Sequence, residues 1–160
     1  MVKEFIRAFT LVFLAEMGDK TQIIAMTFAT RYLIKDVIVG VTLGVLANHG
    51  LAIILGGYLS KSIPLDLIQV IAGFMFIIFG FSSLRNEQLD EFKGDKSISP
   101  IITVAITFFI GELGDKTQLT ALTLALESSY ILLILAGTTV AMVATSLLGI
   151  FIGSKIGKKV

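Results

Sequence analysis

Five long apolar runs, separated by short polar breaks, dominate the pattern of hydrophobic and polar positions along the chain. They cover residues 5–30, 37–59, 65–84, 100–126 and 131–152, and each has about the length that a helix needs to cross a bilayer. A backbone inside lipid finds no water and must satisfy its own hydrogen bonds, as a helix does. The pattern therefore predicts an all-α integral membrane protein with five spans.

Composition and charge support that prediction and narrow the function. The chain is 55% hydrophobic and only 16% charged, whereas soluble domains are typically about 25% charged. The absence of cysteine excludes disulfides and thiolate metal sites. A net charge of +1 without a dense basic patch gives no reason to expect nucleic acid as a partner.

The charged segment 85–98 is the strongest polar break and is predicted to be a connector outside the membrane. Positive residues are more frequent on cytoplasmic loops, and this fixes the orientation of the chain. The richer side, which includes the connector, is therefore predicted to be cytoplasmic, and the N-terminus external. The richer side holds Arg31, Lys35, Arg85, Lys93, Lys96, Lys155, Lys158 and Lys159; the other holds Lys3, Arg7 and Lys61.

An internal repeat relates the two halves of the chain. Residues 15–29 align without gaps to residues 111–125, and AEMGDKTQ in the first copy corresponds to GELGDKTQ in the second. The following span also matches, with one residue of slippage, through small residues that let helices approach closely. These are Gly40, Gly44 and Ala47 in one copy and Gly137, Ala141 and Ala144 in the other.

The position of the repeat predicts an inverted architecture. Three spans separate the starts of the two copies, so the second copy enters the membrane from the opposite side. The predicted units are a first repeat at 1–84, the connector at 85–98 and a second repeat at 99–160. Inverted repeats are typical of secondary transporters, whose site lies near the midplane between the repeats.

The repeated motif places four carboxylates near the middle of two spans: Glu16, Asp19, Glu112 and Asp115. On a helix, residues three apart share a face, so each copy presents a pair of acids. We expect the four to form one metal site, since hard cations such as Ca²⁺ and Mn²⁺ prefer oxygen ligands. Gly18 and Gly114 allow either close approach of a facing helix or a local unwinding.

Other polar residues near the acids are predicted to support them. The candidate ligands or supporting groups are Thr21, Gln22, Thr117, Gln118 and Asn48, and the residues expected to tune the charge are Lys20 and Lys116. Helix–helix hydrogen bonding is the alternative for the hydroxyl and amide groups. Pairing of Glu16 with Lys20, and of Glu112 with Lys116, is the alternative for the charges. His49 has no counterpart in the second copy and is expected to pack or to line a cavity, with a proton relay as the alternative.

The charge of the motif suggests exchange of a metal ion for protons. Four carboxylates and two lysines sum to −2, and unpaired charge within lipid is costly. Either one divalent cation or two protons would neutralise it, and metal entry must displace bound protons. Mutual exclusion of the two at one site is the minimal basis for antiport.

EMGDKT (16–21) and ELGDKT (112–117) resemble the signature E-x-G-D-[KR]-[TS] of a small cation-exchanger family. Its members include bacterial manganese exporters and the Golgi and chloroplast-envelope calcium/manganese transporters. The resemblance implies exchange of Ca²⁺ or Mn²⁺ for H⁺, with the four motif acids as the cation site. It also implies six core spans, so the second repeat is expected to lack its third helix. Two alternatives follow: the sequence is truncated, or it is a natural short form that a second copy or a complementing subunit completes.

The sequence thus predicts a secondary transporter, and not an enzyme, that exports Mn²⁺ or Ca²⁺ in exchange for protons. The expected location is a prokaryotic plasma membrane, with the metal as substrate and no cofactor. A passive divalent-cation channel is the nearest alternative. An intramembrane aspartyl protease is a further one, although those enzymes resemble G-x-G-D, whereas Glu16 and Glu112 stand at the first position here.

Overall fold

The computed structural model describes residues 2–59, 61–82 and 98–157, and all regular structure within these ranges is helical. The predicted connector 85–98 lies outside the described residues, apart from Ile98. The elements, in chain order, are α1 Val2–Glu16, α2 Lys20–Arg31, α3 Ile34–Leu59, α4 Leu65–Ser82, α5 Pro100–Gly111, α6 Lys116–Glu127 and α7 Ile131–Gly157.

The first and fourth predicted spans are each broken into two helices at the repeated motif. Gly18 and Gly114 adopt φ values of 82° and 75°, a left-handed conformation that glycine tolerates and other residues avoid. Asp19 and Asp115 then have extended backbones and stand immediately before α2 and α6. The expectation that each acid pair shares one face of a continuous helix is therefore wrong, and local unwinding is the conformation that the glycines allow.

Two of the described helices are long and apolar enough to cross a membrane. They cover Ile34–Tyr58 and Ile131–Ile156, with mean hydropathies of 2.0 and 2.2. Large apolar side chains face outward on both helices, including Ile54 and Leu132, which are 71% and 80% exposed. A broad apolar exterior of this kind suits a lipid environment.

Each long helix packs against the broken helix of the other half: α3 against α5 and α6, and α7 against α1 and α2. Glycines allow these close contacts. Gly40 lies against the Ile101 carbonyl, and Gly137 lies against the Phe5 carbonyl. The close approach predicted from the small residues is therefore confirmed at these two positions.

Further along the same helices, the contacts repeat in the same way. Gly56 packs against the Leu122 side chain, and Gly153 packs against the Met26 backbone. Leu122 and Met26 are equivalent positions of the aligned repeat, as are Ile101 and Phe5. The two halves thus make matching contacts with each other.

Polar contacts place the start of the first broken helix beside the end of the second. At one end, Arg7 near the start of α1 donates a hydrogen bond of 3.0 Å to Glu127 at the end of α6. Gln69 of α4 donates to the same carboxylate at 3.3 Å. Arg31 at the end of α2 instead lines a separate cavity of about 530 Å³ with Ser154 near the end of α7.

Candidate metal centre

The two helix breaks bring carboxylates from both halves of the chain together. Oxygens of Glu16, Asp19 and Asp115 all lie within 4.8 Å of one another. Ligands on opposite sides of a Ca²⁺ ion are about 5 Å apart, because each binds at roughly 2.3–2.6 Å. Three of the four predicted acids are therefore close enough to contact a single cation.

The fourth predicted acid, Glu112, adjoins this group. Its side chain is completely buried, as is that of Glu16. Glu16 and Asp115 lie close enough for their negative charges to act on Glu112. One oxygen, Oε1, has no hydrogen-bond partner among the described residues. A buried carboxylate oxygen without a donor is costly, and it suits a position that accepts a cation or a proton.

A threonine just after each break holds the glutamate just before it. The Thr21 hydroxyl donates to Glu16 Oε2 at 2.7 Å, and the Thr117 hydroxyl donates to Glu112 Oε2 at 3.0 Å. Both threonines are buried. Each bond spans the unwound segment, so it links the end of one half-helix to the first turn of the next and fixes the carboxylate orientation.

The two glutamines stabilise the breaks through their side-chain oxygens. The backbone N–H of Gly18 donates to Gln22 Oε1 at 3.1 Å, and the N–H of Gly114 donates to Gln118 Oε1 at 2.7 Å. These amide oxygens were candidate ligands in the sequence. In the structure they satisfy a donor that the break leaves without an intrahelical acceptor.

Asn48 of α3 supports the second break from outside the motif. At this break the Leu113 N–H bonds to the Ile110 carbonyl, one residue later than in a regular α-helix. The Phe109 carbonyl accepts instead from Asn48 Nδ2 at 2.9 Å. Asn48 is fully buried, and its side-chain oxygen has no hydrogen-bond partner within the described part of the chain.

The lysine charges act between the halves. The Lys116 ammonium group forms an ion pair with Asp19 and lies 3.5 Å from Glu16 and 4.0 Å from Asp115. The charge of Lys20 acts in turn on Glu112. The alternative in which Lys116 pairs along its own helix with Glu112 is not what the structure shows, because Glu112 lies before the break and Lys116 after it.

Two further features lie beside the site. The sequence predicted packing or cavity lining for His49 without a specific contact, and it did not indicate a separate cavity. His49 is buried, and its Nδ1 lies 3.1 Å from the Thr138 hydroxyl of α7, so it joins the two long helices. A cavity of about 280 Å³ lies between α3, α4 and α6 and reaches Asp115 and Gln118. Both depend on how distant helices pack, which a linear pattern does not encode.

A family model described as "Divalent cation/proton antiporter GDT1" matches residues 4–91 and 100–160. The chain is also 34% identical over 149 residues to a Vibrio cholerae protein named as a candidate manganese exporter, a match that covers 90% of this chain and 73% of that protein. No solved structure matches the chain.

Eukaryotic relatives are also similar. Protein PAM71, chloroplastic, of Arabidopsis thaliana is 30% identical over 185 residues, which cover 96% of this chain and 50% of that protein. GDT1-like protein C186.05c of Schizosaccharomyces pombe is 35% identical over 78 residues, 49% of this chain and 30% of that protein. The chain thus spans half or less of these two relatives.

Proposed function

The chain belongs to the GDT1 family of divalent cation/proton antiporters, and we propose that it exchanges Mn²⁺ or Ca²⁺ for protons at the carboxylate cluster. Membership of this family makes the chain a transporter rather than an enzyme, so the protease alternative is set aside. The observation that carries the proposal is the convergence of Glu16, Asp19 and Asp115 to within 4.8 Å across the two halves.

The site residues proposed to bind the cation are Glu16, Asp19, Glu112 and Asp115. Thr21 and Thr117 orient the glutamates. The side chains of Gln22, Gln118 and Asn48 stabilise the breaks by forming hydrogen bonds with backbone groups there. A metal ion and protons compete for the same carboxylates, because a protonated carboxyl is a poor ligand for a hard cation. Entry of one therefore requires release of the other, which couples their movements in opposite directions.

The proposed architecture is an inverted repeat of units 1–84 and 99–160, joined by a cytoplasmic connector at 85–98, with five spans. The matching glycine contacts of the two halves support it, as does the contact between Arg7 at the start of α1 and Glu127 at the end of α6. In this arrangement the two breaks lie at one depth in the membrane. Backbone groups without helical hydrogen bonds are tolerated at that depth because they face a site within the protein rather than lipid.

Mn²⁺ is the proposed preferred substrate. The proposed direction of transport is export from the cytoplasm across a prokaryotic plasma membrane. The support is the similarity to the Vibrio cholerae protein, together with oxygen ligands that suit Mn²⁺. Ca²⁺ prefers the same oxygens but a larger and more flexible shell. It is therefore the natural competitor in any assay.

Proton flux in proteoliposomes tests the proposal. An inward Mn²⁺ gradient should drive protons out, reported by a pH-sensitive dye inside the vesicles. Glu16→Gln and Asp115→Asn should abolish this flux. Glu127→Gln is the matched control, because Glu127 is an acid of the same broken helix as Asp115 but pairs with Arg7 away from the site. Mn²⁺ entry without proton movement would indicate a passive channel instead, and full flux in the two site variants would contradict the site.

A further inference from the structure

The Lys116 ammonium group lies among the acids proposed to bind the cation. It contacts Asp19 and lies 3.5 Å from Glu16 Oε1 and 4.0 Å from Asp115 Oδ2. These are the same three residues whose oxygens lie within 4.8 Å of one another. Two of the three belong to the first half of the chain, whereas Lys116 belongs to the second. A positive charge of the protein thus lies where the substrate charge is proposed to bind.

A divalent cation and this ammonium group compete for the oxygens of the three carboxylates. A bound metal ion needs direct contact with the oxygens at roughly 2.0–2.6 Å, which leaves no room for Nζ on the same atoms. The two positive charges would also repel each other strongly in a site shielded from water. Metal binding must therefore move Lys116 away from at least part of the cluster.

The position of Lys116 makes such a movement feasible. It is the first residue of α6, directly after the unwound segment, and its side chain is 22% exposed. A lysine carries one compact charge on a flexible four-carbon stem, so the charge can move several ångströms without any change in the backbone. The other oxygen of Asp19 accepts a hydrogen bond of 2.6 Å from the Lys20 backbone N–H, which holds this carboxylate independently of Lys116.

We propose that Lys116 is a tethered counter-ion that the transported metal displaces on binding and that returns when the metal leaves. This inference rests on the proposed antiport function and identifies what competes with the metal at its site. The tethered charge lowers metal affinity, and it neutralises part of the cluster after release, which favours dissociation of the metal. It acts by competition for oxygens while remaining charged.

The first test compares Mn²⁺ binding to purified wild-type protein and variants in detergent at one pH. Lys116→Gln removes the competitor and should lower the Kd for Mn²⁺ by about tenfold or more, with slower turnover in proteoliposomes. Lys116→Arg keeps a charge and should stay closer to wild type. Lys155→Gln is the control, since Lys155 lies over the Phe151 ring on α7 and should leave the Kd unchanged. A folded Lys116→Gln protein with unchanged or weaker affinity would overturn the inference.

The second test uses the wild-type protein and does not depend on the folding of a variant. Brief acetylation with limiting acetic anhydride, followed by peptide mass spectrometry, measures the reactivity of each lysine amine. Saturating Mn²⁺ should increase the labelling of Lys116 by at least threefold, because its ion pairs are lost, while Lys155 stays constant. Unchanged or decreased labelling of Lys116 would contradict displacement.

The two proposals fail in different ways. Wild-type protein that neither binds Mn²⁺ or Ca²⁺ nor couples either to proton flux would contradict the proposed function and the inference with it. Wild-type protein that transports normally, but whose Lys116 labelling is indifferent to Mn²⁺, would contradict only the tethered counter-ion.

Discussion

Removal of one buried hydroxyl group, in Thr117→Val, tests how the site holds its glutamates. Valine keeps the shape of threonine but cannot donate to Glu112 Oε2, which accepts from Thr117 at 3.0 Å. The other oxygen of Glu112 has no hydrogen-bond partner among the residues that the structure describes. The variant therefore leaves a fully buried carboxylate without the one protein hydrogen bond shown for it.

The expected cost follows from the strength of this bond. A hydrogen bond to a charged group contributes about 1.5–3 kcal/mol, and each 1.4 kcal/mol is a factor of ten in affinity. The ionised form of Glu112 is the form proposed to bind metal, so the loss is expected to weaken the metal-bound state. We expect the Kd for Mn²⁺ to rise roughly 10- to 100-fold, measured by isothermal titration calorimetry at constant pH.

Thr123→Val is the matched control for this variant. Thr123 is also on α6, but its hydroxyl donates to the Leu119 backbone carbonyl at 2.6 Å, away from the acids. Loss of the Thr123 hydroxyl should change the Kd for Mn²⁺ less than twofold. Thr117→Ser keeps a hydroxyl donor and should therefore have an affinity close to that of wild type. A Kd for Thr117→Val within threefold of wild type would refute the assigned role of the hydroxyl.

Three further predictions concern the breaks and the protons. Gly114→Ala should lower the free energy of unfolding, measured by chemical unfolding in detergent, by about 1–2 kcal/mol. The cause is backbone strain alone, because φ is 75° at this residue and there is open space for a methyl group. Gly50→Ala is the control: it lies within a helix and also has open space, so it should be neutral or slightly stabilising. Asn48→Leu removes the buried side chain that donates to the Phe109 carbonyl and should cost about 1–3 kcal/mol in the same assay. An unchanged unfolding midpoint would contradict this. The Kd for Mn²⁺ should rise about 10- to 100-fold for each unit by which pH falls, because one or two protons compete for the carboxylates, and a Kd independent of pH would contradict antiport at this site.

The acids of the site could be found from the sequence because charge within an apolar span is costly and both copies keep it. The conformation that brings these acids together could not be predicted from the sequence. EMGD is compatible with a continuous helix, and the glycine alone left two alternatives open, close packing or unwinding. The structure adopts unwinding, with Gly18 at a φ of 82° and Asp19 placed at the start of a new helix.

The partners of Lys116 show the same limit. Helical periodicity predicts neighbours along the chain, and it offered Glu112, four residues earlier. The actual partners, Glu16 and Asp19, are about a hundred residues away in sequence. They are brought near only because α3 and α7 each pack against the broken helix of the other half. The small residues of α3 and α7 predicted close packing, but not which helix they would meet.

The two motif copies are proposed to form one cation site rather than two. Equilibrium dialysis with Mn²⁺ tests it directly through the number of ions bound per chain, in wild type and in Glu16→Gln and Glu112→Gln. A single shared site predicts one ion per chain in wild type, and loss of that ion in either variant, because both glutamates serve the same site. Two ions in wild type, with one retained in each variant, would contradict it.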